Sequence, residues 1–417
     1  MAPAADVLPT DPAESADLLP TDPAESADLL HADRDGSAGL VATLAAGAAQ
    51  RDRDGDLDPA VHALLDRAEL SGGTPLDTPA ARLRAVRRVR DLARVDAGVA
   101  HLVAGAYRAR ALADGSVAGT GPVALADGSL NGTGPVALAI PAAPVAPVTS
   151  GPVGLVLTGT WRLEPPAIMA RYVVLSGLRV DGHDVVVLLD VDADGIVTGP
   201  AAPTGSRPAG SGPAGSEPVG VIVGPEPPTF GLRAAPTAEL RLTGLPVPAR
   251  RIRPLTGQPA WPVFDEALRI AVEVGLLDGF LAAARDFLVH HARPWHESGV
   301  DSAARDPHAI GVLGQAYAQQ RALQLLARDA FAAVATADGP PGGPPPRTVV
   351  LARWYARQRI GPLITSVIGV LGASGTSGRF ALDRYWRDFR THSLRHPPRW
   401  GLDTLDHPPD PRPEQDT

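Results

Sequence analysis

Three side chains in this 417-residue sequence suit proton transfer: the carboxylate of Glu164 and the imidazoles of His392 and His396. The two histidines are four residues apart, a spacing that sets both rings on one face of a helix. Pro397 and Pro398 follow at once and no third ligand lies nearby in sequence, so the pair is not expected to hold a metal. Asp190, Asp192, Asp194 and Gly195 match the opening of a calcium-binding loop, but the twelfth position is Ala201 instead of glutamate and strands flank it, which predicts a β-turn. The string Asp52, Asp54, Asp56 and Asp58 also lacks a closing glutamate and reads as a solvated linker. His290 and His291 fall at the end of a helix, where cationic side chains suit the macrodipole. There is no cysteine, which excludes thiolate nucleophiles, disulfides, Fe–S clusters and cysteine-containing zinc sites. Walker A, complete G-x-G-x-x-G and G-x-S-x-G motifs are absent, so nucleotide hydrolysis and serine-hydrolase chemistry have no local signal. Among the few aromatic residues, Tyr107, Trp161, Tyr385 and Trp386 are candidates to line a pocket, Trp161 more so than Trp386.

Charge narrows the partners. Arginine supplies all 38 basic positions, and the net charge of -8 argues against a nucleic-acid footprint and a polybasic membrane patch. No run approaches the ~20 apolar residues of a membrane span, and the N-terminus lacks a basic region followed by an apolar one, so the expectation is a soluble, cytoplasmic protein acting on a small molecule.

The elements that would position these groups follow from periodicity. Residues 8–18 and 19–29 repeat LPTDPAESADL, and residues 1–40 read as a disordered acidic tail. From Arg82 to about Ala113, apolar residues recur at three- and four-residue spacing and predict one long amphipathic helix. The repeat ALADGSVAGTGPV and ALADGSLNGTGPV over 111–136 predicts a loop or short hairpins, which completes an N-terminal helical segment with a Gly-rich linker over 41–150. Short β-branched runs separated by Gly, Pro and Asp-Gly predict a small antiparallel β-domain over 151–260, interrupted by a mobile insertion at 199–217. Helical patterns at 264–291, 307–336, 347–371 and from Phe380 predict a C-terminal four-helix bundle over 261–400, with Asp306 and Pro307 as N-cap and first helical residue. Residues 401–417 read as a second disordered tail.

Local strings add a resemblance. Leu382-Asp383-Arg384-Tyr385-Trp386-Arg387-Asp388 through Arg390-Thr391-His392, together with Leu92-Ala93-Arg94-Val95-Asp96, Gly159-Thr160-Trp161, Leu245-Pro246-Val247-Pro248-Ala249, His291-Ala292-Arg293-Pro294-Trp295 and Gly372-Ala373-Ser374, resembles the acyl-CoA dehydrogenase superfamily. The closest branch is that of its dibenzothiophene-monooxygenase-like flavin enzymes. The resemblance implies an α+β fold of helices, β-domain and four-helix bundle, in a homodimer or homotetramer. It further implies a flavin-dependent monooxygenase or dehydrogenase acting on a hydrophobic small molecule or acyl thioester, plausible in specialised metabolism, with FAD or FMN as cofactor and a flavin reductase as partner. By position it implies Thr160, Trp161, Arg293, Gly372 and Ser374 at the cofactor, and Tyr107, Trp161 and Arg390 at the substrate. The sequence also departs from the branch. Ala106 stands where a histidine precedes the tyrosine, Glu164-Pro165-Pro166 replaces a hydroxyl-bearing flavin-facing loop, and Arg395-His396 replaces a histidine before an acidic or amide residue. These departures keep open an alternative, a flavin-independent cyclase or isomerase, or a binding protein, on the same scaffold.

Overall fold

The computed structural model describes residues 37–68, 70, 76, 78–114, 135–142, 154–199, 218–255, 261–335 and 345–395. Both repeats, the 200–217 insertion and His396 lie outside the described residues, apart from the ends of the second repeat. The helices are α1 (Ser37–Asp54), α2 (Pro59–Arg67), α3 (Pro79–Val95), α4 (Ala97–Asp114), α5 (Trp261–His290), α6 (Pro307–Ala335), α7 (Arg347–Gly375) and α8 (Asp383–Arg395). The strands are β1 (Val136–Pro141), β2 (Gly154–Leu163), β3 (Tyr172–Val180), β4 (His183–Asp190), β5 (Ile196–Gly199), β6 (Gly220–Val223), β7 (Ala238–Pro248) and β8 (Ile252–Pro254).

The expected single helix over 82–113 is two. Asp96 leaves helical geometry at φ −151, ψ 99, and its carboxylate accepts the backbone N–H of Val99, capping α4. A buried ion pair with Arg51 holds that carboxylate in place. The apolar spacing runs straight through this break, which is why periodicity alone did not register it. The acidic string is a solvated connection in part: Asp54, Asp56 and Asp58 are exposed at the junction of α1 and α2, where Asp58 caps α2 through Ala60, but Asp52 is buried and paired with Arg387 of α8.

The sheet corrects the antiparallel expectation. Its eight strands run in the order β5-β6-β7-β2-β1-β3-β4-β8, with β1–β3 and β5–β6 parallel and the remaining pairs antiparallel. Strand β1, which the sequence pattern had merged into the Gly-rich linker, is central: it pairs with both β2 and β3. The Asp190–Gly195 segment is the expected turn, with Asp190 accepting from the backbone of Asp192 and Ala193 and Asp194 paired with Arg251.

One face of the sheet packs on α4 through Ala109, Leu112, Ala113, Val136, Leu138, Tyr172 and Val174. The other face forms its own core, with Trp161 and Leu163 at the centre. Helix α4 is apolar nearly all round because its remaining surface, including Leu102, Val103 and Tyr107, enters the helical core. Helices α5, α6, α7 and α8 share that core with α3 and α4 instead of enclosing one of their own. Helix α3 lies close on α5 because Gly275 and Gly279, one turn apart, leave room for the carbonyls of Arg90 and Arg94, where a Cβ would fall 2.2 and 1.9 Å from those oxygens. Asp278 between them takes hydrogen bonds from Arg90, Gln320 and Gln324, tying α3, α5 and α6 together.

Candidate functional site

Three largely apolar helices each carry a short polar stripe at helical spacing, and the stripes meet the buried face of the amphipathic α8. Helix α4 contributes His101 and Arg108, α5 contributes Asp265, Glu266, Arg269 and Glu273, α7 contributes Arg353 and Arg357, and α8 contributes His392 and Arg395. Glu164, at the end of β2, joins them from the sheet. Its backbone N–H donates to Leu138 of β1, and the following Pro165 carbonyl lies so close to α4 that a Cβ on Gly105 would fall 2.1 Å from its oxygen. That contact lets the loop approach the helix and sets the Glu164 carboxylate beside His101.

Contacts run without a gap from one end to the other. Arg395 Nη1 lies 3.5 Å from Glu164 Oε2 and 3.3 Å from His101 Nε2, and His101 packs edge-on against His392 with ring centroids 5.5 Å apart. His392 Nδ1 is 3.2 Å from Glu273 Oε1, which also faces Arg353 Nη1 at 2.5 Å and Arg357 Nε at 3.7 Å. Arg353 reaches Glu266 at 2.8 Å, Glu266 lies 3.6 Å from Arg269, and Arg269 and Arg108 both bind Asp265. A narrow recess in this network is lined by His101, Ala104, Gly105, Arg108, Leu268, Arg269 and His392. A second, mostly apolar recess lies on the far side of the same loop, lined in part by Leu102, Pro165, Pro166 and Met169.

Burial decides the charge states of the histidines and arginines decide those of the acids. Loss of water, then the neighbouring Arg395, keeps His101 neutral, well below the ordinary imidazole value. Burial likewise lowers His392 to about 4, although Glu273 opposes the shift. Burial alone would raise Asp265 and Glu273, but Arg108 and Arg269 hold the first at about 2 and Arg353, His392 and Arg357 hold the second at about 2. Burial and the adjacent Arg353 pull the Arg357 guanidinium down to about 10. With Arg395 donating to its Nε2, His101 is a neutral imidazole turned to accept, and His392 donates Nδ1–H to Glu273, which leaves its Nε2 as an acceptor. The arrangement offers proton acceptors and fixed positive charge next to a recess.

Of the sequence-derived candidates, the structure brings Glu164 and His392 into this network, each 5% exposed or less. Tyr107 and Trp161 are fully buried, in the helical core and the sheet core respectively, and Trp161 Nε1 has no hydrogen-bond partner among the described residues. Thr160 is half-buried, while Arg293, Gly372, Ser374 and Arg390 are exposed and make no contact with the recess. His396 lies outside the described residues. Sequence reading did not single out His101, Arg108, Asp265, Glu266, Arg269, Glu273, Arg353 or Arg357, and treated Arg395 only as a departure. The available signal was polar residues one turn apart on otherwise apolar helices, since a buried charge persists only where it is paired.

No protein-family model matches the chain. A dibenzothiophene monooxygenase from Rhodococcus erythropolis is 32% identical over 133 residues, 30% of this chain and 32% of the relative, so the match spans about a third of that protein's length. Among solved structures, TdsC from Paenibacillus sp. A11-2 in complex with FMN and indole superposes with a TM-score of 0.70 at 18% identity, covering 88% of this chain and 93% of TdsC. Butyryl-CoA dehydrogenase from Megasphaera elsdenii gives 0.64 at 17% identity over 94% of this chain and 95% of its own. The chain has the fold these proteins share.

Proposed function

We propose that this chain with an acyl-CoA dehydrogenase-like fold is a flavin-dependent oxidoreductase, a monooxygenase acting on a hydrophobic small molecule. The observation that carries the reading is the buried network around the recess where sheet and helices meet, on a scaffold whose sequence relative is a monooxygenase and whose structural neighbour holds FMN. A flavin edge rich in acceptors needs donors, and the residues fit that demand. Arg108 spends its Nε–H on Asp265 and Arg395 spends one N–H direction on Glu164 and His101, so each guanidinium, with five N–H groups, keeps donors to spare. Arg108 and Arg395 would hold that edge. Bound reduced flavin would supply the activation of molecular oxygen. His101 would stay neutral and oriented by the N–H that Arg395 donates to its Nε2, His392 would accept a substrate proton at its Nε2, and Glu164 would fix Arg395. The narrow recess beyond Pro165 has apolar walls, Leu102 and Met169 among them, that match the hydrophobic body of the substrate in kind and would have to part to admit it.

The remaining roles follow the resemblance: Thr160, Trp161, Arg293, Gly372 and Ser374 toward cofactor, Tyr107 and Arg390 toward substrate, His392 and His396 as acid–base groups. The same reading gives a cytoplasmic homodimer or homotetramer supplied by a flavin reductase. Among the described residues no helix is long and apolar enough to cross a membrane. A second reading, a flavin-independent cyclase or isomerase, draws on the Glu164–Arg395 contact and on the two prolines, which offer no N–H to a flavin. Titration of the purified protein with FMN and FAD, followed by fluorescence and melting temperature, separates the two. Saturable binding that raises the melting temperature supports the oxidoreductase, and indifference to both flavins overturns it.

A further inference from the structure

The network has more positive than negative charge. Among the described residues, the contact-linked groups comprise five guanidiniums (Arg108, Arg269, Arg353, Arg357, Arg395) and four carboxylates (Glu164, Asp265, Glu266, Glu273). His101 and His392 link the two halves without adding charge, because burial holds both neutral. One positive charge therefore has no counterpart inside the network, and an uncompensated buried charge is among the most costly features a fold can carry. Hydrogen bonding tilts the same way: among the described residues Arg269 Nη1, Arg353 Nη2 and Arg357 Nη2 are buried donors with no partner, against one such acceptor in the network, Glu273 Oε2. Arg269 is 7% exposed and lines the recess together with Arg108.

We infer that the recess binds one carboxylate, so that the small-molecule substrate of this site is a monoanion whose carboxylate meets Arg269 while its apolar body extends away from it. A planar carboxylate matches the guanidinium fork and brings the tally of charges to zero, and the Arg269 side chain turns its sealed Nη1 N–H into the recess to meet it. The inference names the substrate class for the site of the proposed oxidoreductase, but it does not need flavin in order to be measured.

The test uses the purified full chain without flavin, titrated at constant ionic strength and pH 7.5 with benzoate and, in parallel, with the neutral isostere benzamide. Benzoate is expected to raise the melting temperature in a saturable way and benzamide is not. Arg269→Gln should weaken benzoate binding roughly tenfold or more, the loss of a charge-assisted hydrogen bond. Glu266→Gln, at the partly exposed edge of the network, should strengthen it, because it raises the positive excess. The second variant carries the test should Arg269→Gln fail to fold. Equal effects of benzoate and benzamide, no effect of either, or benzoate binding unchanged by both substitutions would overturn the inference. A chain that binds benzoate but no flavin removes the oxidoreductase reading and leaves the carboxylate site standing, and the reverse result does the opposite.

Discussion

Gly105→Ala should destabilise the protein and disable the site, although alanine is the better helix former. An ideal Cβ at this position falls 2.1 Å from the Pro165 carbonyl oxygen and 3.3 Å from its carbon. Ordinary contact between such atoms needs more than 3 Å, so the loop or α4 must shift by about 1 Å. Replacing glycine inside a helix contributes about 1 kcal/mol of stability, while overpacking of this kind costs about 1–3 kcal/mol. The obstacle is backbone and not the tip of a flexible side chain, which places the cost at the upper end and leaves a net loss of about 1–2 kcal/mol. Gly314→Ala on α6 is the control: nothing lies within 4 Å of its Cβ, and the residue is exposed. It should stabilise by about 0.5–1 kcal/mol. Denaturant midpoints of the two variants should therefore move in opposite directions from the wild type. Gly105→Ala should in addition lose about 100-fold in turnover, because Glu164 follows the loop and a displacement of about 1 Å is enough to spoil a positioned group. A Gly105→Ala protein as stable as Gly314→Ala, with unchanged turnover, would refute the idea that this contact positions Glu164.

Glu273→Gln should cost about 3–5 kcal/mol in chemical denaturation, since it leaves buried Arg357 without a carboxylate and Arg353 with Glu266 alone; a loss below about 1 kcal/mol would contradict a buried ion cluster. Asp388, buried in α8, is raised to about 7 chiefly by burial, so between about pH 4 and 7 the folded chain holds a proton that the unfolded chain has lost, and this group's contribution to stability declines as pH rises through that window. His392, lowered to about 4, acts the other way: the unfolded chain holds the extra proton, and stability rises with pH from about 4 to 6.5. Asp388→Asn keeps an acceptor for the Leu232 N–H, and because His101 and His392 both make stability rise with pH below 6.5, removing the opposing Asp388 should steepen the rise of melting temperature from pH 4 to 6.5; an unchanged slope would show that Asp388 does not titrate there. Glu164→Gln should reduce turnover by about 100-fold, and full turnover would remove Glu164 from the site.

Much of the scaffold was legible because long elements impose long patterns. Pro307 follows its Asp306 cap, and α5 through α8 begin and end within a few residues of the breaks expected from Pro, Gly and apolar spacing. The break at Asp96 escaped because the apolar stripe continues across it in register, and only the side chain's hydrogen bond to Val99 reveals the new start. Strand β1 escaped because its six residues follow a Gly-rich repeat, and its central place depends on pairing with strands far along the chain. The site was half legible. Glu164 and His392 could be named from residue type, but Glu273 and Arg353 look like ordinary helix residues until tertiary packing buries them together. Of the residues drawn from the resemblance, Trp161 lies in the sheet core and Arg293 on the surface, placements that a local string does not encode.

The central claim is oxygen transfer by reduced flavin at this network, and the most direct measurement is isotopic. The protein is mixed anaerobically with reduced FMN and a hydrophobic aromatic carboxylic acid or thioether, exposed to ¹⁸O₂, and the products are weighed by mass spectrometry. The account predicts a product heavier by one ¹⁸O atom, formed by the wild type and strongly diminished in Glu164→Gln and Arg108→Gln. Absence of labelled product from every substrate, with reduced flavin consumed no faster than in buffer, would contradict it.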